Sequence, residues 1–277
     1  MNRTVRLHPA LPPVCRLGLA SRGINGLAKD HVLAAFERGL NYFNWAGEAD
    51  GMRDAIRELA QTGRRDELVV AAQISATTAG DLAREIDATC AALQIDRLDV
   101  LTFYYIQSQA EWDRIRAPGA ALDAARKLQA AGRVSVIGLT SHQRPLAAAI
   151  AAAGETELLM IRYNAAHRGA ETDIFPTTDR AQIPVVAYTC LRWGALIHPL
   201  ASDRNAPGPV YIPTAVDCYR FALSNPAVAI ALTAPDTRAD LDENLALLGD
   251  WRASTDEEQT RIRARGDKIK AEAGSFP

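Results

Sequence analysis

From Val14 onward, short β-branched or aromatic runs alternate with Ala-rich stretches whose apolar residues recur every three or four positions. The runs VCRLGLAS, NYFNWA, LVVAAQIS, DVLTFYY, SVIGLTSH, LLMIRYN, PVVAYTC and AVAIALTA read as strands. Between and after them the spacing predicts helices over 30–38, 52–61, 79–93, 119–131, 145–153, 174–181, 215–224 and 238–248. Eight successive strand–helix pairs predict an α/β chain built on a parallel sheet. LVVAA and PVVAY are nearly continuous apolar runs, the pattern of strands covered on both faces, which fits a closed (β/α)8 TIM barrel better than a one-sided sheet. No linker-like segment divides the chain, so the expectation is one barrel domain over residues 1–277, with 256–274 as a charged, solvated closing helix.

Composition narrows the function. With 31 Lys and Arg against 33 Asp and Glu the formal charge is −2, and no basic run interleaved with aromatics occurs, so a nucleic-acid partner is not expected. No apolar stretch has the length of a membrane span or a signal peptide, and the reading is a cytoplasmic protein acting on a small molecule without membrane partners. Cys15, Cys90, Cys190 and Cys218 form no CxxC pair and read as reduced, packed thiols. A GxGxxG fingerprint, a P-loop, HExxH, GxSxG and metal-ligand spacing are all missing, so no metal site is expected.

In a barrel the active site lies where the strands end. Those ends supply Arg22; Asn44 and Trp45; Gln73; Tyr104 and Tyr105; Thr140, Ser141 and His142; Arg162, Asn164, His167 and Arg168; and Tyr188, Arg192 and Trp193. His142 is the histidine best placed for acid/base work, while His8, His31 and His198 read as surface or packing residues. The segment RYNAAHRGAE reads either as the anion-binding end of a substrate pocket or as a loop tied by Arg168–Glu171 or Arg162–carboxylate pairs.

The stretches AFERGLNYFNWAGEADG, LDVLTFYYIQS, KLQAAGRVSVIGLTSH, RYNAAHR, IPVVAYTCLRWGAL and DLDENLALL resemble the aldo-keto reductase superfamily over nearly the whole chain. That resemblance implies a (β/α)8 barrel and carbonyl reduction with NADPH, or less often NADH, using a Tyr acid assisted by Lys, Asp and His. Asn44 stands at the aspartate position, Ala49 or Asp50 at the tyrosine, Gln73 at the lysine and Tyr104 at the histidine, so the family's proton relay cannot operate here. The resemblance also implies a dinucleotide cradle from Thr140 and Ser141 at the carboxamide, Tyr188 against the nicotinamide, and Glu243 with Asn244 on the adenine side. At the 2′-phosphate position stand Ala234, Pro235, Asp236 and Asp240, with Arg238 as partial compensation, and Met160 replaces a glutamine. NAD(H) or NADP(H) is therefore implied, with NADP(H) disfavoured by Asp236 and Asp240, and cofactor-free chemistry stays open.

The leading expectation is an aldo-keto-reductase-like enzyme acting on a small polar or anionic molecule. Tyr104 or His142 replaces the lost phenol, Asn44 and Gln73 complete the catalytic set, and Trp45, Tyr105, Arg162, Asn164, Arg192 and Trp193 bind substrate. The rivals are a cofactor-independent lyase, isomerase or cyclase using Tyr104, Tyr105, His142 and Arg162, and a catalytically silent binding protein on the same scaffold.

Overall fold

The computed structural model describes residues 1–21, 26–205 and 207–272. Eight parallel strands form a closed barrel: β3 (Leu17–Ala20), β4 (Tyr42–Trp45), β5 (Val69–Ile74), β6 (Leu98–Phe103), β7 (Val134–Thr140), β8 (Leu158–Arg162), β9 (Val185–Tyr188) and β10 (Val228–Thr233). They pair in chain order, and the ring closes where Ala231, Leu232 and Thr233 of β10 meet Leu17, Gly18 and Leu19 of β3. The crossover helices are α1 (Lys29–Glu37), α2 (Gly51–Gln61), α3 (Ala79–Leu93), α4 (Gln109–Arg116), α5 (Ala121–Ala130), α6 (Arg144–Ala152), α7 (Ala170–Asp173), α8 (Phe175–Ala181), α9 (Ala215–Ser224) and α10 (Arg238–Leu245). A long α11 (Asp256–Glu272) follows. Thr214 and Thr237 start α9 and α10 with reciprocal capping boxes, each worth about 1 kcal/mol.

One expected strand divides. VCRLGLAS breaks at Arg16: Val14–Cys15 (β2) pairs antiparallel with Thr4–Val5 (β1), and only Leu17–Ala20 enters the barrel wall. The Arg16 guanidinium fixes that turn by donating to the carbonyls of Leu223, Val228 and Ala229. Other bounds shift for local reasons. α5 begins at Ala121 because Gly119 sits at φ 75°, and α10 stops at Leu245, continuing as a single tighter turn over Ala246–Gly249.

Alternate residues of the strands fill the interior, with Tyr42, Val69, Val100, Val136, Leu158 and Val186 in one buried cluster. Gly18 makes room for it, since a Cβ there would stand 3.0 Å from Tyr42, Ile230 and Leu232. Leu7, Leu11 and Val14 of the hairpin segment join the same cluster and plug the N-terminal end. The interior is therefore packed from below, and polar groups gather where the strands end, as barrel geometry requires.

The charged α11 is not solvated all round. Ile262, Arg265, Gly266 and Ile269 are buried, and Gly266 packs on the backbone of Ala165 and Ala166 in the loop after β8. Among the described residues no helix is long and apolar enough to cross a membrane.

Candidate active site

The strands deliver Asn44, Gln73, Thr140, Arg162 and Tyr188 to one end of the barrel by simple alternation from the buried interior positions. Asn44, Gln73, Met160 and Tyr188 line a cavity of about 390 Å³ that runs outward past Trp193 to Asp236, Asp240, Glu243 and Asn244. Among the described residues, Asn44 Oδ1, Thr140 Oγ1 and the Tyr188 hydroxyl are buried at this end of the barrel without a hydrogen bond. Each such group costs on the order of 1–3 kcal/mol, a cost that a polar occupant would remove. Burial pushes the Tyr188 phenol well above its usual range, so it stays protonated and can serve as a donor. Gln73 Nε2 finds only the Met160 thioether, 3.7 Å away.

Beside the cavity lies a second cluster. Tyr105 Oη stands 2.8 Å from His142 Nδ1, and Arg162 Nη2 stands 3.1 Å from both imidazole nitrogens. The His142 ring lies nearly parallel to Tyr188, with 5.9 Å between centroids. Burial first, and the Arg162 charge second, hold His142 down to about 4, so its imidazole is neutral at physiological pH. Tyr105 sits at φ 58°, a left-handed conformation that costs a bulky residue about 1–3 kcal/mol. That turn carries its ring to His142, while Tyr104 keeps only a tilted ring contact with Tyr105 at 5.7 Å and is 45% exposed.

His167 is likewise held down to about 4, by burial and then by the charges of Arg162, Arg192, Lys270 and Arg144. Unfolding restores both imidazoles to pKa values near 6.5. The unfolded chain thus binds more protons between pH 6.5 and 4, and stability falls as pH falls through that window. Both rings are partly solvent-screened, so about 1 kcal/mol each is the expected loss. Urea midpoints measured from pH 7 to 4.5 should show the decline, with a shallower slope in His142→Gln; equal slopes would refute it.

Several expected pocket residues turn elsewhere. Trp45 is buried in the outer core and its indole donates to Glu48 O. The Ser141 hydroxyl donates to Ile106 O and accepts from Gln143 N. Asn164 donates to Thr189 O and accepts from Ala166 N and His167 N, which holds the loop after β8 in shape. Asn244 lines the cavity, but its amide donates to Thr233 Oγ1. Arg238 pairs with Asp242 on the exposed side of α10, and Asp240 caps that helix by accepting from the Thr237 backbone and hydroxyl. In RYNAAHRGAE the expected Arg168–Glu171 pair is absent: Arg168 pairs with Asp267 of α11, and Glu171 pairs with Arg263. Arg192 is buried and Trp193 half exposed, both at φ 51°. Arg22 lies outside the described residues. Cys190, His198 and Tyr219 also line the cavity, although no spacing in the sequence marks them.

Residues 25–207, most of the chain, match the profile of the Aldo/keto reductase family. The chain belongs to that family. Two solved structures of the aldo-keto reductase AKR11C1 from Bacillus halodurans share its fold. The holo form is 16% identical with a TM-score of 0.73, covering 95% of this chain and 96% of that one. The apo form is 17% identical with a TM-score of 0.75, covering 95% of each. No curated protein sequence matches the chain.

Family membership makes the substitutions at the strand ends informative. Asn44 and Gln73 occupy the barrel mouth without bringing charge there, and Asp50, near the family's tyrosine position, caps α2 by accepting from Arg53 N. The acid/base groups that this barrel end does bring together are Tyr105, His142 and Arg162.

Proposed function

We propose that this aldo-keto reductase interconverts a carbonyl and an alcohol on a small polar or anionic molecule, with a nicotinamide cofactor and a replaced acid/base set. The observation that carries the reading is the continuity of the cavity from the unpaired polar atoms at the barrel mouth to the acidic end of α10. The unpaired Asn44 Oδ1 and Tyr188 hydroxyl on the cavity lining suit a carboxamide at the mouth, with the Thr140 hydroxyl buried just outside that lining, and the Tyr188 ring offers a flat surface. Glu243 and Asp236 suit ribose hydroxyls, and together with Asp240 they repel a 2′-phosphate, which favours NAD(H) over NADP(H). When bound, the cofactor supplies or accepts the hydride.

The chain's own residues supply the proton. With its proton on Nδ1, His142 donates to Tyr105 Oη and accepts from Arg162 at Nε2. Tyr105 is then free to direct its hydroxyl proton at a developing alkoxide, and the Nδ1–H hydrogen bond stabilises the phenolate left behind. Arg162 polarises the imidazole, giving the charge assistance that a lysine gives elsewhere in the family. Cofactor-free proton transfer is the second reading. It is favoured by the Ser141 hydroxyl, whose hydrogen bonds go to the Ile106 and Gln143 backbone, and by His142 covering part of Tyr188.

Titration with NADH and NADPH, followed by tryptophan and nicotinamide fluorescence, separates the two. NADH is expected to bind at about micromolar Kd, and NADPH about tenfold more weakly. Binding of neither overturns the oxidoreductase reading and leaves cofactor-free chemistry.

A further inference from the structure

The contact between Tyr105 and His142 joins two loops that lie 37 residues apart in the chain, and it needs both rings to be aimed. Tyr105 is aimed from a left-handed backbone at φ 58°, a conformation that a bulky residue keeps only where its surroundings over-determine it. Those surroundings are concentrated on the next residue. Ile106 is buried, and both of its backbone polar groups are tied to the end of β7: its N–H donates to Thr140 O at 2.9 Å, and its carbonyl accepts from the Ser141 hydroxyl at 2.6 Å. Gln107 Nε2 adds a bond to Tyr105 O at 3.2 Å, at the exposed edge of the same loop.

His142 is aimed by the same hydroxyl. Ser141 Oγ accepts from Gln143 N at 2.9 Å, closing a short turn with His142 at its apex. Ser141 is 1% exposed, so both of its bonds are shielded from solvent. The donor half of one hydroxyl thus holds the loop of Tyr105, and the acceptor half holds the turn of His142. The residue before Ile106 and the residue after Ser141 are thereby brought face to face, with Tyr105 Oη 2.8 Å from His142 Nδ1. Resemblance to the family places Ser141 on the nicotinamide carboxamide, but its single proton is committed to Ile106 O and it lies off the cavity lining.

We propose that Ser141 is a positioning residue that holds Tyr105 and His142 together for proton transfer and makes no contact with a ligand. The inference rests on reading Tyr105 and His142 as the acid/base pair, and it adds the group that sets their geometry. Without the hydroxyl the Ile106 carbonyl and the Gln143 N–H lose their partner, the two loops are free to move apart, and the rings lose their hydrogen bond while each keeps its own chemistry.

The test is nitrogen NMR of the full chain carrying isotopically labelled histidine, without nucleotide and at neutral pH, where the His142 ring is uncharged. His142→Gln assigns the signal among the five histidines, and Tyr105→Phe gives the Nδ1 position once the bond to Tyr105 is gone. Ser141→Ala should move the Nδ1 signal most of the way to that position, and Ser141→Thr, which keeps the hydroxyl, should return it. Ser224→Ala is the control and should leave the signal in place. Its hydroxyl likewise donates to a backbone carbonyl, Arg220 O at 2.7 Å, and accepts from a backbone N–H, that of Ser254 at 2.8 Å, but at the end of α9. Thermal melts show which variants are folded, and if Ser141→Ala is not, Ser141→Cys, a weak donor of similar size, is measured in its stead. A parent signal in the folded variant without the hydroxyl, no return in folded Ser141→Thr, an equal shift in Ser224→Ala, or a parent signal in Tyr105→Phe would overturn the proposal. The Kd for NADH should stay within about twofold in Ser141→Ala, whereas a loss of about fivefold or more would make Ser141 a ligand contact and overturn it as well. If the chain binds no nicotinamide nucleotide, the oxidoreductase reading falls and the nitrogen signals still decide this inference. NADH binding with unmoved signals overturns this inference alone.

Discussion

Tyr105→Phe is expected to lower kcat about a hundredfold or more and to leave KM within about twofold, because the ring remains and only the transferable proton is lost. The argument rests on position. Tyr105 has its hydroxyl within hydrogen-bond distance of a neutral imidazole that is itself in contact with a guanidinium. Tyr104, which follows β6 directly, is the more exposed of the two and has only ring contact with Tyr105. Tyr104→Phe should therefore leave kcat within about threefold, since no directed proton transfer is removed. His142→Ala should resemble Tyr105→Phe, because it removes the group that stabilises the phenolate. Between pH 5 and 8 the kcat profile should show no imidazole ionisation, since His142 titrates near 4. Steady-state reduction of a panel of small polar aldehydes and ketones with NADH measures all three variants. Unchanged turnover in Tyr105→Phe would remove Tyr105 as the acid.

The barrel was legible because strands covered on both faces must be apolar through the layer they span, as residues 158–161 and 185–187 are before Arg162 and Tyr188 bring polar groups to the mouth. The plug was not, because strands of two residues flanked by Pro9, Pro12 and Pro13 carry no periodicity to read. At the site, the strand ends pointed to Asn44, Gln73, Thr140, Arg162 and Tyr188, since alternation alone fixes which side faces the axis. Side chains on loops escaped the same logic. The contact between Tyr105 and His142 depends on one left-handed residue, which re-aims a ring that an extended strand would have sent elsewhere. Ser141 and Asn164 were expected to meet ligand, but loop backbone groups need partners too, and short polar side chains nearby satisfy them first. Cys190, His198 and Tyr219 reach the cavity only because distant segments fold over it.

The second large effect concerns the support of this site. Gly266→Ala is expected to destabilise the fold by about 3 kcal/mol, toward the upper end for overpacking, because the obstacle is backbone. A Cβ at Gly266 would stand 2.2 Å from Ala165 O, 2.3 Å from Ala165 C and 2.8 Å from Ala166 N. No rotamer change relieves a clash with a peptide group. Either α11 moves away or the loop after β8 shifts, and that loop is pinned by Asn164 through its bonds to Thr189 O and Ala166 N. Moving α11 would strain the Arg168–Asp267 and Glu171–Arg263 pairs that tie it down, and would loosen the contact of Arg265 and Lys268 with Asp203 beyond β9. Arg162 ends β8 and Trp193 lies in the loop after β9, so the variant should lower turnover as well as stability. Gly249→Ala is the control, because open space surrounds that position. Thermal melts should place Gly266→Ala several degrees below the parent and Gly249→Ala within about one or two degrees of it. A Gly266→Ala melt equal to that of the control would show that α11 does not brace the loop that carries the site.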